Sequence, residues 1–134
     1  MARPKRRMLI VDDDPNEALF LEDAFRSSPE PVEIRHAESG EEGLAAIGSF
    51  DPDLVLLDLN MPGMDGFDVL ATIKGSEAMK ALPTLIFSSS ERDIDIERSY
   101  RAHANAYVVK PRTFDGYRKL AEDIERFWYE TARV

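Results

Sequence analysis

Short apolar runs alternate with segments whose apolar residues recur every three or four positions, and this alternation continues from residue 7 to residue 131. Runs of four to eight residues bounded by polar or turn residues indicate strands, and the longer spacing indicates helices with one apolar face. The predicted strands are residues 7–12, 32–37, 53–58, 84–88 and 106–109. The predicted helices are residues 16–27, 40–48, 67–74, 94–104 and 114–131.

Several of these strands are apolar on both faces, the clearest being LVLL at 54–57. Strands of that kind are typical of a parallel sheet covered by helices on both sides and joined by right-handed crossovers. The sequence therefore predicts an α/β, doubly wound single domain with five strand–helix units. In such a sheet, ligands bind outside the carboxyl ends of the strands.

Length and composition fit one globular domain. The chain has 134 residues, of which 43% are hydrophobic and 32% charged, and no stretch is apolar enough for a signal peptide or a membrane span, so we expect a cytoplasmic protein. The absence of cysteine excludes disulfides and thiolate metal sites. With only two histidines, a zinc centre is not expected.

The formal charge of −9 argues against a nucleic-acid footprint, which requires a basic face. The exception is the amino terminus, where Arg3, Lys5, Arg6 and Arg7 cluster. Residues 1–6 are interpreted as a solvated basic tail, with a nucleic-acid or membrane contact as the less favoured alternative.

Polar residues gather at the predicted strand ends. Strand one ends in Asp12, Asp13 and Asp14, strand three in Asp58, and strand five is followed by Lys110. Carboxylates in one crevice repel each other by about 3 kcal/mol per pair at roughly 5 Å and an effective dielectric of about 20. A cation must offset this repulsion, and Mg²⁺ prefers such oxygen ligands, although an aspartate after a strand is often only a turn or cap residue.

An aspartate can act as a nucleophile toward phosphorus if cations neutralise the transferred oxygens. Asp58 would attack, Mg²⁺ and Lys110 would hold two phosphoryl oxygens, and Ser88 at the end of strand four would donate its hydroxyl to the third.

These residues are similar to those of a known family, the receiver domains of two-component response regulators. The resemblance covers Met8 to Trp128 and rests on VDDDP at 11–15, LLDLNMPGMDG at 56–66, FSSS at 87–90, AYVVKP at 106–111 and the five-unit alternation. It implies a flavodoxin-like (βα)5 sandwich with strand order 2-1-3-4-5 and a receiver domain over residues 7–131.

The resemblance also implies roles for individual residues. Asp58 would accept a phosphoryl group from the phosphohistidine of a histidine kinase. Asp13 would bind Mg²⁺ directly and Asp12 through water, with Asp58 and the Asn60 backbone carbonyl completing the metal shell, and Mn²⁺ could substitute. Lys110 would be the conserved lysine of the family.

Further implied roles concern switching and stability of the phosphorylated form. Ser88 and Tyr107 occupy the switch positions, whose movement remodels the face made by helix four, strand five and helix five. Asn60, Ser89 and Ser90 lie where the family tunes access of water to the phosphoryl group. The Lys110–Pro111 bond is expected to be cis. Asp14 has no family role, and a turn or helix cap is its predicted use.

No output segment follows Val134 in this sequence, so we expect action by protein contact or phosphate relay, and no enzymatic activity beyond self-phosphorylation and dephosphorylation. The stretches IKGSEAMKALPTLIFSSS, ANAYVVKP and IERFW resemble the stand-alone receivers paired with bacterial phytochrome histidine kinases. A kinase of that type is the expected partner.

The last predicted helix carries three consecutive aromatic residues, Phe127, Trp128 and Tyr129. At roughly 100° per residue they span about 200° of an α-helix, which is wider than one buried stripe, and Tyr129 falls off the buried face. We therefore expect part of this surface to mediate a homodimer.

Three alternatives stay open at this point. A haloacid-dehalogenase-like phosphatase would use Asp12 and Asp14 as its D-x-D pair, but Asn16 stands where that family has Thr or Val. A flavodoxin is disfavoured because three aspartates would repel the flavin phosphate. A receiver that serves only as a binding module is the third.

Overall fold

The computed structural model describes residues 6–131, which form one parallel five-stranded sheet with helices on both faces. The strands are β1 (Arg6–Val11), β2 (Val32–Ala37), β3 (Leu54–Leu57), β4 (Thr84–Ser88) and β5 (Ala106–Val109). The helices are α1 (Pro15–Ala24), α2 (Gly40–Phe50), α3 (Gly66–Lys74), α4 (Asp93–Arg101) and α5 (Phe114–Ile124). The strand order β2-β1-β3-β4-β5 confirms the predicted doubly wound fold.

The core consists of two apolar layers, one on each face of the sheet. Successive residues of β1 alternate between them: Leu9 and Val11 face α2 and α3, whereas Met8 and Ile10 face α1 and α5. The short β3 is buried at every position. This doubly buried strand explains the continuous apolar run in the sequence, since neither face meets water.

The amino-terminal boundary differs from the prediction. Arg6, which was assigned to the basic tail, is the first residue of β1 and pairs with Val32 of β2. Its side chain is buried and forms an ion pair with Glu125, so Arg6 belongs to the folded domain. Arg3 and Lys5, the other predicted tail cations, lie outside the described residues.

Helix ends follow the capping residues. Asp14 caps α1, since its carboxylate accepts a hydrogen bond from the Asn16 amide at 3.0 Å, as predicted for this extra aspartate. Ser39 caps α2 in the same way. Helix α4 ends at Arg101, three residues earlier than predicted, because His103 adopts a left-handed backbone with φ of 72°. Such a backbone cannot continue a right-handed helix.

The last helix changes geometry after α5. Residues Glu125–Thr131 form a π-helix, which has more residues per turn than an α-helix. This wider turn brings Trp128 and Tyr129 against the apolar layer that α1 and α5 share. The prediction that Tyr129 points away from the core is therefore wrong, because it assumed α-helical spacing to the end of the segment.

No helix within residues 6–131 combines the length and the apolar character that a bilayer span requires.

Candidate functional site

Two buried aspartates lie side by side at the carboxyl edge of the sheet. The Asp58 amide donates to the Val11 carbonyl at 2.9 Å, and the Asp12 amide donates to the Ala37 carbonyl at 3.0 Å. The sheet hydrogen bonding thus continues one residue past β3 and β1 and fixes both backbones. Asp12 is 1% exposed and Asp58 is 6% exposed, so water screens their carboxylates poorly.

Asp13 completes a cluster of three carboxylates. Asp12, Asp13 and Asp58 each present an oxygen, and these oxygens all lie within 4.8 Å of one another. Asp13 is solvent-exposed, whereas the other two are buried, so the cluster opens toward water on one side. Carboxylate oxygens at this spacing fit a hard divalent cation that keeps part of its water shell, which is the usual situation of protein-bound Mg²⁺.

Lys110 brings an ammonium group to the same crevice. Its Nζ lies 2.8 Å from an Asp12 carboxylate oxygen and 3.7 Å from Asp58. Burial opposes the charged form of the lysine, but the hydrogen bond to Asp12 and the charges of Asp58 and Asp12 outweigh it and hold the Lys110 pKa above its ordinary value. The lysine therefore stays cationic at any pH at which the domain would work.

The pKa of Asp58 is raised to about 6. Burial is the main cause, the neighbouring Asp12 charge adds to it, and Lys110 together with the Asn60 backbone amide partly reverses the shift. Asp58 is consequently ionised at neutral pH, although less favourably than an exposed aspartate. A carboxylate in this state is available as a nucleophile.

The loop after Asp58 is fixed by glycines. Gly63 adopts φ of 74°, a left-handed conformation that favours glycine. At Gly66 a Cβ atom would lie 2.2 Å from the Asp58 carbonyl oxygen, so only glycine allows the start of α3 to pack against this backbone. The Gly66 amide also donates to the Leu59 carbonyl at 3.0 Å. Helix α3 thereby holds the position of Asp58.

The predicted switch residues are linked through Ser90. The Ser88 hydroxyl, which is fully buried at the end of β4, accepts the Ser90 amide at 3.1 Å. The Tyr107 hydroxyl donates to the Ser90 carbonyl at 2.8 Å. The Ser90 hydroxyl donates to Asp95 in α4 at 2.6 Å. Ser89 points to solvent.

The Lys110–Pro111 peptide bond is trans, as are all peptide bonds of the described residues. The predicted cis bond is therefore wrong. For a bond before proline the trans form is favoured by about 0.5–1 kcal/mol, and the Lys110 side chain reaches Asp12 from the trans backbone.

Two site residues were missed by sequence reasoning. Glu17 in α1 is 7% exposed, and its carboxylate lies 3.7 Å from the Lys110 ammonium. His36 in β2 donates from Nε2 to the Asp12 carbonyl at 2.6 Å. Glu17 follows the cap residue Asp14 by three positions, which is the spacing of a capping box. This spacing explains an acidic residue at position 17 without any contact with Lys110, so the sequence alone does not point to that contact.

Residues 8–122 match the family model of the response regulator receiver domain, so the chain belongs to this family. The two-component assignment made from the motifs is thereby confirmed. The sheet order and the cluster of acidic residues agree with this family.

The relatives include stand-alone regulators of similar length. Response regulator Rcp1 of Synechocystis is 31% identical, with 99% of this chain and 95% of Rcp1 covered. The crystal structure of the phosphorylated cyanobacterial phytochrome response regulator RcpA has a TM-score of 0.87 and 32% identity, covering 96% of both chains. The bacteriophytochrome response regulator AtBRR has a TM-score of 0.71 and 34% identity over 96% of both chains.

Proposed function

We propose that this receiver domain accepts a phosphoryl group on Asp58 from the phosphohistidine of a histidine kinase. The observation that carries this proposal is the placement of Asp58, a buried carboxylate with the Lys110 ammonium 3.7 Å away and two further carboxylates beside it. The P–N bond of the donor breaks, its electron pair stays on the imidazole, and a P–O bond forms to a carboxylate oxygen of Asp58.

Asp12, Asp13, Asp58 and the Asn60 carbonyl would hold the divalent cation that the carboxylate cluster fits. When bound, Mg²⁺ would neutralise charge on the transferred phosphoryl oxygens. A structure of Rcp1 is described as its Mn²⁺-bound form, which supports Mn²⁺ as a substitute here. Lys110 would bind a second phosphoryl oxygen, and the buried Ser88 hydroxyl would donate to a third.

The signal would leave the site through Ser88 and Tyr107. A hydroxyl that turns toward the phosphoryl group pulls on the backbone of residues 88–90, and Tyr107 is hydrogen-bonded to the Ser90 carbonyl. We expect Tyr107 to follow this movement and to alter the surface of α4, β5 and α5. Asn60, Ser89 and Ser90 would set how readily water reaches the aspartyl phosphate.

The test is phosphorylation by a small donor. Incubation with Mg²⁺ and acetyl phosphate should add the mass of one phosphoryl group to the wild-type protein and none to Asp58→Asn. Asp23→Asn, which removes an exposed carboxylate of α1, is the matched control and should be modified like wild type. Turnover of acetyl phosphate without an adduct would instead favour a phosphatase, and no reaction at all would favour a binding-only receiver.

A bacterial phytochrome histidine kinase is the proposed partner. The phytochrome response regulators RcpA and AtBRR match this chain over 96% of its length, which supports the assignment. Transfer from an autophosphorylated bacterial phytochrome kinase should be faster than from an unrelated histidine kinase. Equal rates from both donors would contradict the pairing.

The predicted homodimer through the carboxyl-terminal segment stays a prediction, with a smaller surface. Trp128 and Tyr129 are partly buried within the protein itself, whereas Phe127 remains 54% exposed. If the dimer exists, Phe127→Ala should lower the mass measured by light scattering at tens of micromolar protein. A mass of one chain for the wild type would remove the dimer.

A further inference from the structure

The ammonium of Lys110 has three carboxylate neighbours rather than two. Asp12 lies at 2.8 Å, and Asp58 and Glu17 both lie at 3.7 Å. Glu17 belongs to α1, whose apolar face packs with α5 on one side of the sheet. One cation is thus shared among two residues of the acidic crevice and one residue outside the three-carboxylate cluster.

Glu17 is held in place from its other side. Its second carboxylate oxygen accepts a short hydrogen bond from the Tyr117 hydroxyl of α5. Tyr117 is buried, and its ring packs edge-on against Phe87, with 6.3 Å between the ring centroids. Burial and the contact with Glu17 raise the pKa of Tyr117, so the phenol remains a donor. The carboxylate of Glu17 is therefore fixed toward Lys110 and does not swing freely in solvent.

We propose that Glu17 is a positioning residue that competes with the phosphoryl group for Lys110. This inference rests on the proposed phosphorylation of Asp58. In the unmodified protein, Glu17 and Asp12 both attract the ammonium. After transfer, Lys110 must contact a phosphoryl oxygen on Asp58. The attraction of the Lys110 ammonium to Glu17 weakens this new contact, because the two anions compete for the same cation.

The reaction with acetyl phosphate makes the consequence measurable. The P–O bond to the acetyl oxygen breaks, a P–O bond to Asp58 forms, and acetate leaves with the electron pair. Glu17→Gln removes the competing charge but keeps an oxygen that accepts the Tyr117 hydrogen bond, so the packing of α1 on α5 is preserved. The freed lysine should raise the rate constant of phosphorylation about threefold to tenfold, as expected for a change in one partly screened ion pair.

Glu22→Gln is the matched control, because Glu22 lies on the same helix, has the same side chain and is exposed. It should leave the phosphorylation rate within about twofold of wild type, which corresponds to the small effect of an exposed charge. A second comparison uses the Lys110→Met background. If Glu17 acts through the lysine, Glu17→Gln should have no effect there, whereas general repulsion of the anionic donor would persist and would overturn the proposal.

A spectroscopic measurement on the unphosphorylated protein gives an independent test. The ¹³Cε signal of Lys110, assigned by its loss in Lys110→Met, should move in Glu17→Gln and stay in place in Glu22→Gln at a fixed pH. A signal unchanged by Glu17→Gln would overturn the proposed contact. Equal phosphorylation rates of wild type and Glu17→Gln would overturn the positioning role alone, whereas a wild-type protein that gains no phosphoryl group would overturn the proposed function.

Discussion

Buried charged side chains lie at both ends of the sheet, and the two groups are built differently. At the amino edge of the strands, Glu125 accepts hydrogen bonds from Arg6 and from Ser28, the latter at 2.6 Å. At the carboxyl edge, a single ammonium, that of Lys110, lies among the carboxylates of Asp12, Asp58 and Glu17. In the first group one buried cation, Arg6, is paired with one buried carboxylate, Glu125, whereas in the second group three buried carboxylates share one ammonium.

Asp53 shows the same contrast with Asp58. Burial raises the pKa of both aspartates. Asp53, however, accepts hydrogen bonds from the Arg7 amide and the Tyr129 hydroxyl, both at 3.1 Å, whereas Asp58 faces the further carboxylates of the crevice. The carboxylates of Glu125 and Asp53 at the amino edge therefore have hydrogen-bond partners within the protein. The carboxyl edge keeps an excess of negative charge, which the proposed divalent cation would offset.

The largest expected effect comes from removing the buried Arg6–Glu125 ion pair at the amino edge. Glu125→Gln should lower the free energy of unfolding by about 3 kcal/mol, because the buried Arg6 charge loses its closest partner. The effect falls at the lower end for buried pairs since Glu30 remains 3.2 Å from Arg6. Urea denaturation would measure it, with the exposed Glu122→Gln as the control.

Phosphorylation of the folded Glu125→Gln protein by acetyl phosphate should match wild type, because the two edges lie at opposite ends of the strands. A loss of stability no larger than that of Glu122→Gln would show that the Arg6–Glu125 pair does not stabilise the fold.

A smaller effect, of the opposite sign, is expected at the carboxyl edge. Asp58→Asn should raise the free energy of unfolding by about 1–3 kcal/mol at pH 7 without Mg²⁺, because it removes one of the crowded carboxylates. The pKa of Asp58 is about 6 in the folded protein against 3.8 for the free side chain. The folded state therefore binds more protons between these values, and wild-type stability should fall as the pH rises through that window.

The comparison is urea denaturation of wild type and Asp58→Asn at pH 5 and pH 7. The stabilisation by Asp58→Asn should be larger at pH 7 than at pH 5. Destabilisation by Asp58→Asn at pH 7 would mean that the attraction of Lys110 for the Asp58 carboxylate outweighs burial and the repulsion from Asp12.

The smallest expected effect is that of the cation. Mg²⁺ at ten times its dissociation constant should stabilise the wild-type protein by about 1.4 kcal/mol, since it binds the folded state only. A chelator should reverse this, and Asp13→Asn should weaken it while Glu125→Gln should leave it unchanged. Equal stabilisation of wild type and Asp13→Asn would place the cation elsewhere.

The sequence was most informative where backbone geometry dictates the outcome. Parallel strands bring their carboxyl ends to one edge, so Asp12, Asp58, Ser88 and Lys110 could be assigned to a common crevice from strand boundaries and spacing. The buried β3 and the turn after it could also be predicted from the sequence. A run that is apolar on both faces indicates a buried strand, and glycines indicate a turn.

The errors occur where side-chain contacts or local backbone geometry decide. Glu17 was not singled out from the sequence, and only the packing of α1 on α5 shows that it reaches Lys110. The end of α4 depends on the backbone of His103, and the orientation of Tyr129 depends on the π-helix. None of these leaves a periodic signal in the sequence.

The π-helix of Glu125–Thr131 also makes the segment sensitive to its own length. A π-turn is an α-helix that accommodates an additional residue, and it holds Arg6 beneath the Tyr129 ring, with the guanidinium carbon 4.7 Å from the ring centroid. Deleting one residue from this segment would let it relax to α-helical spacing and turn the aromatic side chain about 100° away from that partner. The number of residues after α5, and not only their identity, thus determines whether Tyr129 packs against Arg6 at the start of β1.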